Sequence, residues 1–205
     1  MKKTLSSIAN KQASATENVR AELNHFLDYA HTHPDAEVRY RASDMILALH
    51  SDGSFNSEPN SKSRAGGHFY LTERGNVNLG NGAVHALTEA IKFVTSSAGE
   101  TEVAASFINC RKALPMRIAL EEMGHPQPKT PVIMDNTTAI GLMNKTMAPK
   151  ASKAYDMRLN WLKCREAQKQ FDMIWQPGKK NLADYHTKTH TNQEYMSKRK
   201  DHVQN

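Results

Sequence analysis

The chain is poor in cysteine. Among 205 residues it holds only Cys110 and Cys164. Both sit in helix-like patterns, and neither has a second cysteine at zinc-finger spacing. This argues against a disulfide framework or structural zinc and favours a reducing compartment. Long apolar runs are also missing. No stretch approaches the ~18 apolar residues of a membrane span, so no membrane partner is expected. The start, Met1-Lys2-Lys3-Thr4-Leu5, lacks the apolar region of a secretion signal, and the chain is not expected to be secreted. Internal repeats and low-complexity blocks are absent. Acidic residues are outnumbered, 21 against 27 lysines and arginines, for a net charge of +6 and a pI near 9.3. That balance favours a polyanionic partner, although a solvated basic surface gives the same count.

Hydrophobic residues make up 39% of the chain, enough for one core plus an appendage. Residues 14–33 read as one amphipathic helix. Ser14 and Glu17 have capping-box spacing, and Val19, Leu23, Phe26, Leu27 and Ala30 form a single stripe. His33-Pro34 ends it. Met45 to His50 reads as a buried strand ending at Asp52, and Asn56 to Arg64 as a turn. His68 to Leu71 and Val77 to Val84 read as the next two strands, joined at Glu73-Arg74-Gly75-Asn76. Residues 100–123 are helical, with a kink or break expected at Pro115. Pro131 to Met134 is a short apolar strand. Helices are expected over Thr137–Asn144 and Ala151–Gln168, a fifth strand over Phe171–Trp175, and a closing helix over Asn181–Lys188. The expected fold class is α/β: a five-stranded mixed sheet, three antiparallel strands then two more, with helices on both faces and an N-terminal helix. The expected domains are a connecting segment at 1–42, the α/β domain at 43–190, and a loose polar tail at 191–205.

Four carboxylates stand out, Asp52, Glu102, Asp135 and Asp184, and three of the four sit where an apolar stretch turns polar or where a helix should begin. Each has an ordinary explanation. Asp52 before Gly53 suits a turn, Glu102 a first-turn helix charge, Asp135 an N-cap, and Asp184 a solvated helix face. Together they suggest one site. Asp52 belongs to the first strand and Asp135 to the fourth, which should be neighbours, and Glu102 opens the helix crossing between them. Acids gathered this closely repel one another and call for cations. Two Mg²⁺ or Mn²⁺ ions are the expected cofactors, with phosphodiester hydrolysis as the chemistry. Glu100 competes with Glu102 for the second position. Two residues apart, only one can face the site, and Glu102 is preferred because Val103-Ala104-Ala105 follows it as the packed face.

In these contexts the chain resembles the ribonuclease H domain of Copia-type retrotransposon Pol polyproteins. Ser51-Asp52-Gly53-Ser54 resembles the general form of the first acidic motif. Ser96-Ser97-Ala98-Gly99-Glu100-Thr101-Glu102-Val103-Ala104 is similar to Ser-Ser-Thr-Glu-Ala-Glu-Tyr-Met-Ala, and Asp135-Asn136-Thr137-Thr138-Ala139-Ile140 to Asp-Asn-Gln-Ser-Ala-Ile. Ser152 to Arg158 resembles Thr-Lys-His-Ile-Asp-Ile-Arg. Leu182 to Lys188 resembles the closing Ala-Asp-Ile-Leu-Thr-Lys. The likeness covers about residues 45–190, and the helix ending Phe26-Leu27-Asp28-Tyr29-Ala30 resembles the segment joining a Copia reverse transcriptase to its ribonuclease H. The resemblance implies a ribonuclease H-like fold and cutting of the RNA strand of RNA–DNA hybrids, leaving 3′-hydroxyl and 5′-phosphate ends. Asp52, Glu102, Asp135 and Asp184 would be catalytic metal ligands. It also implies the reverse transcriptase portion of the same polyprotein as a partner, and a place in cytoplasmic virus-like particles or the nucleus. No Tyr-x-Asp-Asp polymerase motif is present, so a fragment or decayed copy is expected. Two departures bear on rate: Trp175 to Lys180 lacks the loop histidine of many relatives, and Ala154 replaces the Copia histidine.

For the substrate, Ser54, Asn56 and Asn136 lie near the acids and are expected to reach sugars or phosphates. Lys153, Arg158, Lys179 and Lys180 are expected to meet phosphates, so affinity should fall with salt. Lys150 and Arg165 share the basic helix, and a solvated face explains that helix equally. Trp161 is expected to be a helix contact, and His186 and His190 are read as tail residues.

Overall fold

The computed structural model describes residues 2–144, 153–188, 190 and 192–203. Five strands form one mixed sheet in the order β3-β2-β1-β4-β5. They are β1 (Ile46–Glu58), β2 (Lys62–Thr72), β3 (His85–Ala90), β4 (Thr130–Met134) and β5 (Phe171–Trp175). The first three run antiparallel, and β4 and β5 are parallel additions beside β1. Helices α1 (Lys2–Asn10) and α2 (Glu17–Thr32) precede the sheet. Helices α3 (Ala98–Glu122), α4 (Thr137–Met143) and α5 (Lys153–Ala167) alternate with the later strands. The single turn α6 (Asp184–Thr187) and α7 (Asn192–Arg199) close the chain. Among the described residues no helix is long and apolar enough to cross a membrane.

Strand alternation divides β1 between two faces. Leu47 and Leu49 enter the main core with Val103, Ala104 and Cys110 of α3. Ser51, on the same face, receives a 2.9 Å hydrogen bond from Asn109 Nδ2. Ala48, His50 and Asp52 take the other face, where Tyr70 and Ile133 join Ala48 in a smaller cluster. Helices α1 and α6 cover this second face, and α7 packs on α6.

Several boundaries differ from the sequence reading. β1 runs on past Asp52, which therefore sits inside a strand rather than at its end. A register irregularity after Ser54, with Asn56 at φ 51°, bends the continuation, and the turn shrinks to 59–61. The third strand is His85–Ala90, not Val77–Val84. In that loop Tyr70 Oη donates to the Val77 carbonyl (2.8 Å) and Thr72 Oγ1 to that of Asn76 (2.7 Å). Side chains, not a ladder, thus satisfy these backbone acceptors. α3 is one helix through Pro115. The proline ring is on the exposed side, so the carbonyl it frees at Arg111 faces water.

The helix expected over 14–33 is α2, and an unanticipated helix, α1, precedes it. Thr16, not Ser14, caps α2, accepting from Val19 N–H at 3.5 Å. α2 buries no residue in the core, and its stripe stays open at Leu23 and Leu27. Its anchor is Tyr29, whose hydroxyl accepts from Arg199 Nε at 2.8 Å. The expected loose tail thus contains a helix. Arg64 is fully buried, paired with Glu58 at 2.7 Å and donating to Thr88 Oγ1 (2.9 Å) and Ser6 Oγ (3.3 Å).

Candidate metal centre

The parallel ladder builds the site. His50 pairs with Ile133 across β1 and β4, so two residues further on Asp52 comes beside Asp135. α3 then approaches β1 at Gly53, where an added Cβ would lie 2.8 Å from the Thr101 carbonyl oxygen. That approach brings in Glu102, whose carboxylate accepts a hydrogen bond from the Gly53 N–H. One carboxylate oxygen from each of Asp52, Glu102 and Asp135 lies within 4.8 Å of the other two.

Glu100 takes a different role. Ser97 caps α3 by accepting from Glu100 N–H at 3.2 Å, and Glu100 accepts from the Ser96 N–H and Oγ at 2.7 Å. This is a capping arrangement shifted one residue toward the N-terminus, and it turns Glu100 away from the cluster.

The acids are electrostatically loaded. Burial pushes Asp52 up to about 6, helped by Asp184 and Asp135 and opposed by Lys188 and a hydrogen bond from Thr187. Burial, then Asp52 and Asp135, raises Glu102 well above the usual carboxylate range. Glu102 Oε2 is buried without a hydrogen-bond partner among the described residues. An orphaned acidic oxygen between two further carboxylates fits a hard divalent cation.

Asp184 is close but engaged. Lys188 and Lys198 both pair with its carboxylate, and Lys188 Nζ is 4.0 Å from Asp52 Oδ1. Burial alone would raise Asp184, but hydrogen bonds from both lysines outweigh it and hold the carboxyl below its usual value. The sequence reading missed these lysines and Thr187. Lys188 carried a local signal, four residues after Asp184 on one helical face. Lys198 did not.

The expected substrate residues are spread out. Asn136 caps α4 through its side chain, accepting from Ala139 N–H at 3.0 Å. Ser54 is half-buried beside Gly53, and Asn56 is exposed at the bent end of β1. The Arg158 guanidinium lies 3.3 Å above the Phe93 ring. Lys153 opens α5 with its side chain outside the described residues, as is all of Lys150. Lys179 and Lys180 are exposed and line a cleft of about 750 Å³ with Arg39, Arg41 and Lys200. The loop forming that wall touches the acids: a Cβ on Gly178 would lie 2.5 Å from Asp135 Oδ2. The two arginines were not anticipated. Trp161 packs edge-on against Phe107 of α3, 5.3 Å between centroids.

The sequence matches no protein-family model and no curated protein. Solved structures do match. An RNase H1 isolated from compost by a metagenomic approach aligns over 70% of this chain and 93% of its own, with a TM-score of 0.51 and 14% identity. The same enzyme in complex with an RNA/DNA hybrid aligns over 69% and 93%, with a TM-score of 0.51 and 15% identity. The N-terminal RNase H domain of rv2228c from Mycobacterium tuberculosis aligns over 76% and 97%, with a TM-score of 0.50 and 15% identity. The chain has a ribonuclease H-like fold.

Proposed function

We propose that this chain is a metal-dependent endonuclease that cuts the RNA strand of RNA–DNA hybrids, as the ribonuclease H portion of a Copia-type retroelement polyprotein. The observation carrying this reading is the convergence of Asp52, Glu102 and Asp135 within 4.8 Å on a fold shared with RNase H enzymes, one of them solved with a hybrid. The retroelement assignment rests on the sequence motifs.

Asp52, Glu102 and Asp135 would hold Mg²⁺ or Mn²⁺. When bound, two such ions would supply an activated water and offset the charge on the leaving oxygen. The protein's own part is positional. The β1–β4 ladder fixes Asp52 against Asp135, Gly53 sets the depth of Glu102, and Gly178 leaves room for the Asp135 carboxylate. Arg39, Arg41, Lys179 and Lys180 would track the phosphate backbone, because the loop they border also touches Asp135. For Asp184 to join the ligands, Lys188 and Lys198 must release it.

That engagement of Asp184 favours a second reading, a nucleic-acid-binding remnant without catalysis. One experiment separates the two. A labelled hybrid is incubated with the protein in Mg²⁺ or Mn²⁺, beside Asp52→Asn and a duplex-DNA control. Metal-dependent cutting of the RNA strand, lost in Asp52→Asn, is expected. Hybrid binding without metal-dependent cutting supports the remnant. Equal activity of parent and variant overturns the nuclease assignment, and preferential cutting of duplex DNA points to another nuclease on the same scaffold.

A further inference from the structure

The second face of the sheet carries imidazoles where an apolar core would be expected. His50 and His68 are directly opposite each other on β1 and β2. His186 reaches them from α6 and His202 from the residues after α7. The His68 ring lies 4.9 Å from that of His202 and 6.0 Å from that of His186, and the His186 and His202 centroids are 5.2 Å apart. One ring nitrogen from each of His68, His186 and His202 falls within 4.8 Å of the other two.

We propose that His68, His186 and His202 form a binding site for a transition-metal ion of the Zn²⁺ class, which pins the C-terminal segment to the sheet. Three observations carry it. First, His68 Nδ1 and His186 Nε2 are buried with no hydrogen-bond partner among the described residues, an unusual state for groups that seek one. Second, the His68 tautomer is set for ligation. Its Nε2 meets the Asn81 carbonyl at 3.3 Å, which can only accept, so Nε2 carries the proton and Nδ1 keeps its lone pair. Third, the fit is close. Zn–N bonds of ~2.0–2.1 Å require each ring to move inward by about 1 Å or less from the observed spacing.

Burial holds His68 and His202 neutral at neutral pH, at about 4 and about 2, so binding displaces no proton from them. His202 lines the basic cleft, which gives an ion a route in and leaves a position for water. The donor set separates this site from the acids on the same face. Nitrogen ligands select Zn²⁺ or Co²⁺, whereas carboxylate oxygens select Mg²⁺ or Mn²⁺. His50 stays outside the ligand set because its Nδ1 accepts from Leu182 N–H at 3.2 Å. The inference is independent of nuclease activity.

The test uses the full chain carrying Asp52→Asn and Asp135→Asn, which weakens the oxygen cluster. Co²⁺ is titrated in and followed by visible absorption. One equivalent is expected, with the ligand-field bands of low-coordinate nitrogen ligation, displaced by Zn²⁺. His202→Ala in that background, shown folded by circular dichroism, should lose the bands, while His25→Ala on exposed α2 should keep them. X-ray absorption of the Zn²⁺-loaded parent should count three imidazoles, and this readout decides even where His202→Ala does not fold. Absence of uptake, binding unchanged in folded His202→Ala, or an oxygen-only coordination shell overturns the proposal.

Discussion

At Asp52, burial works against the charge that metal binding would require. The carboxyl is raised to about 6 from a usual 3.8, so the folded state holds this proton more tightly than the unfolded state. Asp52 therefore contributes stability below pH ~4, and that contribution is lost as pH rises through about 6. The four buried histidines have the opposite sign. His50 is lowered to about 3, His68 to about 4, His186 to about 3 and His202 to about 2, so the unfolded chain binds their protons first. Their contribution is present above pH ~6.5 and is lost on acidification. At pH 5 each ring opposes folding by about 2 kcal/mol, and the raised carboxyls of Asp52 and Glu102 act in the opposite direction. Circular dichroism should show the thermal midpoint of the metal-free protein falling as the pH drops below about 6.5. Asp52→Asn should raise the thermal midpoint more at pH 7.5 than at pH 5.5; an equal gain at both would remove burial as the cause. Gly53→Ala should cost about 1–3 kcal/mol, because the new methyl meets backbone rather than a movable side chain. Gly178→Ala meets the Asp135 carboxylate and should cost less stability while lowering hybrid cleavage, a split that urea melts and rate assays resolve.

Among the elements, α3 bears the clearest internal flaw. Pro115 removes one hydrogen bond from a helix that otherwise runs from Ala98 to Glu122. Because its ring is exposed, Pro115→Ala should restore the bond without disturbing the core and raise stability by about 1–3 kcal/mol in denaturant melts. A kink is the sequence-based expectation there because the local sequence does not show which side the proline faces. β4 and β5 were legible because each is a short apolar run with turn signals beside it, and the four acid contexts were legible as local motifs. β3 was not. His85-Ala-Leu-Thr-Glu-Ala lacks a β-branched run, and it became a strand through pairing with Arg64 to Phe69. The choice of Glu102 over Glu100 rested on helix geometry; in the structure Glu102 lies with Asp52 and Asp135, and Glu100 accepts from Ser96 at the start of α3. The histidine face escaped notice because residues 68, 186 and 202 are brought together only by tertiary folding. Lys198 escaped for the same reason: no local spacing ties it to Asp184.

For the molecule as a whole, the net charge of +6 has a direction. Arg39, Arg41, Lys179, Lys180 and Lys200 share one cleft whose wall reaches Asp135. Hybrid affinity measured by fluorescence anisotropy should fall steeply with added salt. Arg41→Ala and Lys179→Ala should each reduce the log–log salt slope by about 1. An unchanged slope would place the phosphates elsewhere. The first helix is stitched into the body through Ile8, Lys2 on the Ala86 carbonyl, and Ser6 on the Arg64 guanidinium. Tyr29 ties the second helix to Arg199 at the opposite terminus. A protease nick in the exposed stretch near Asp35 would therefore leave two pieces that travel together through a sizing column and part only in denaturant.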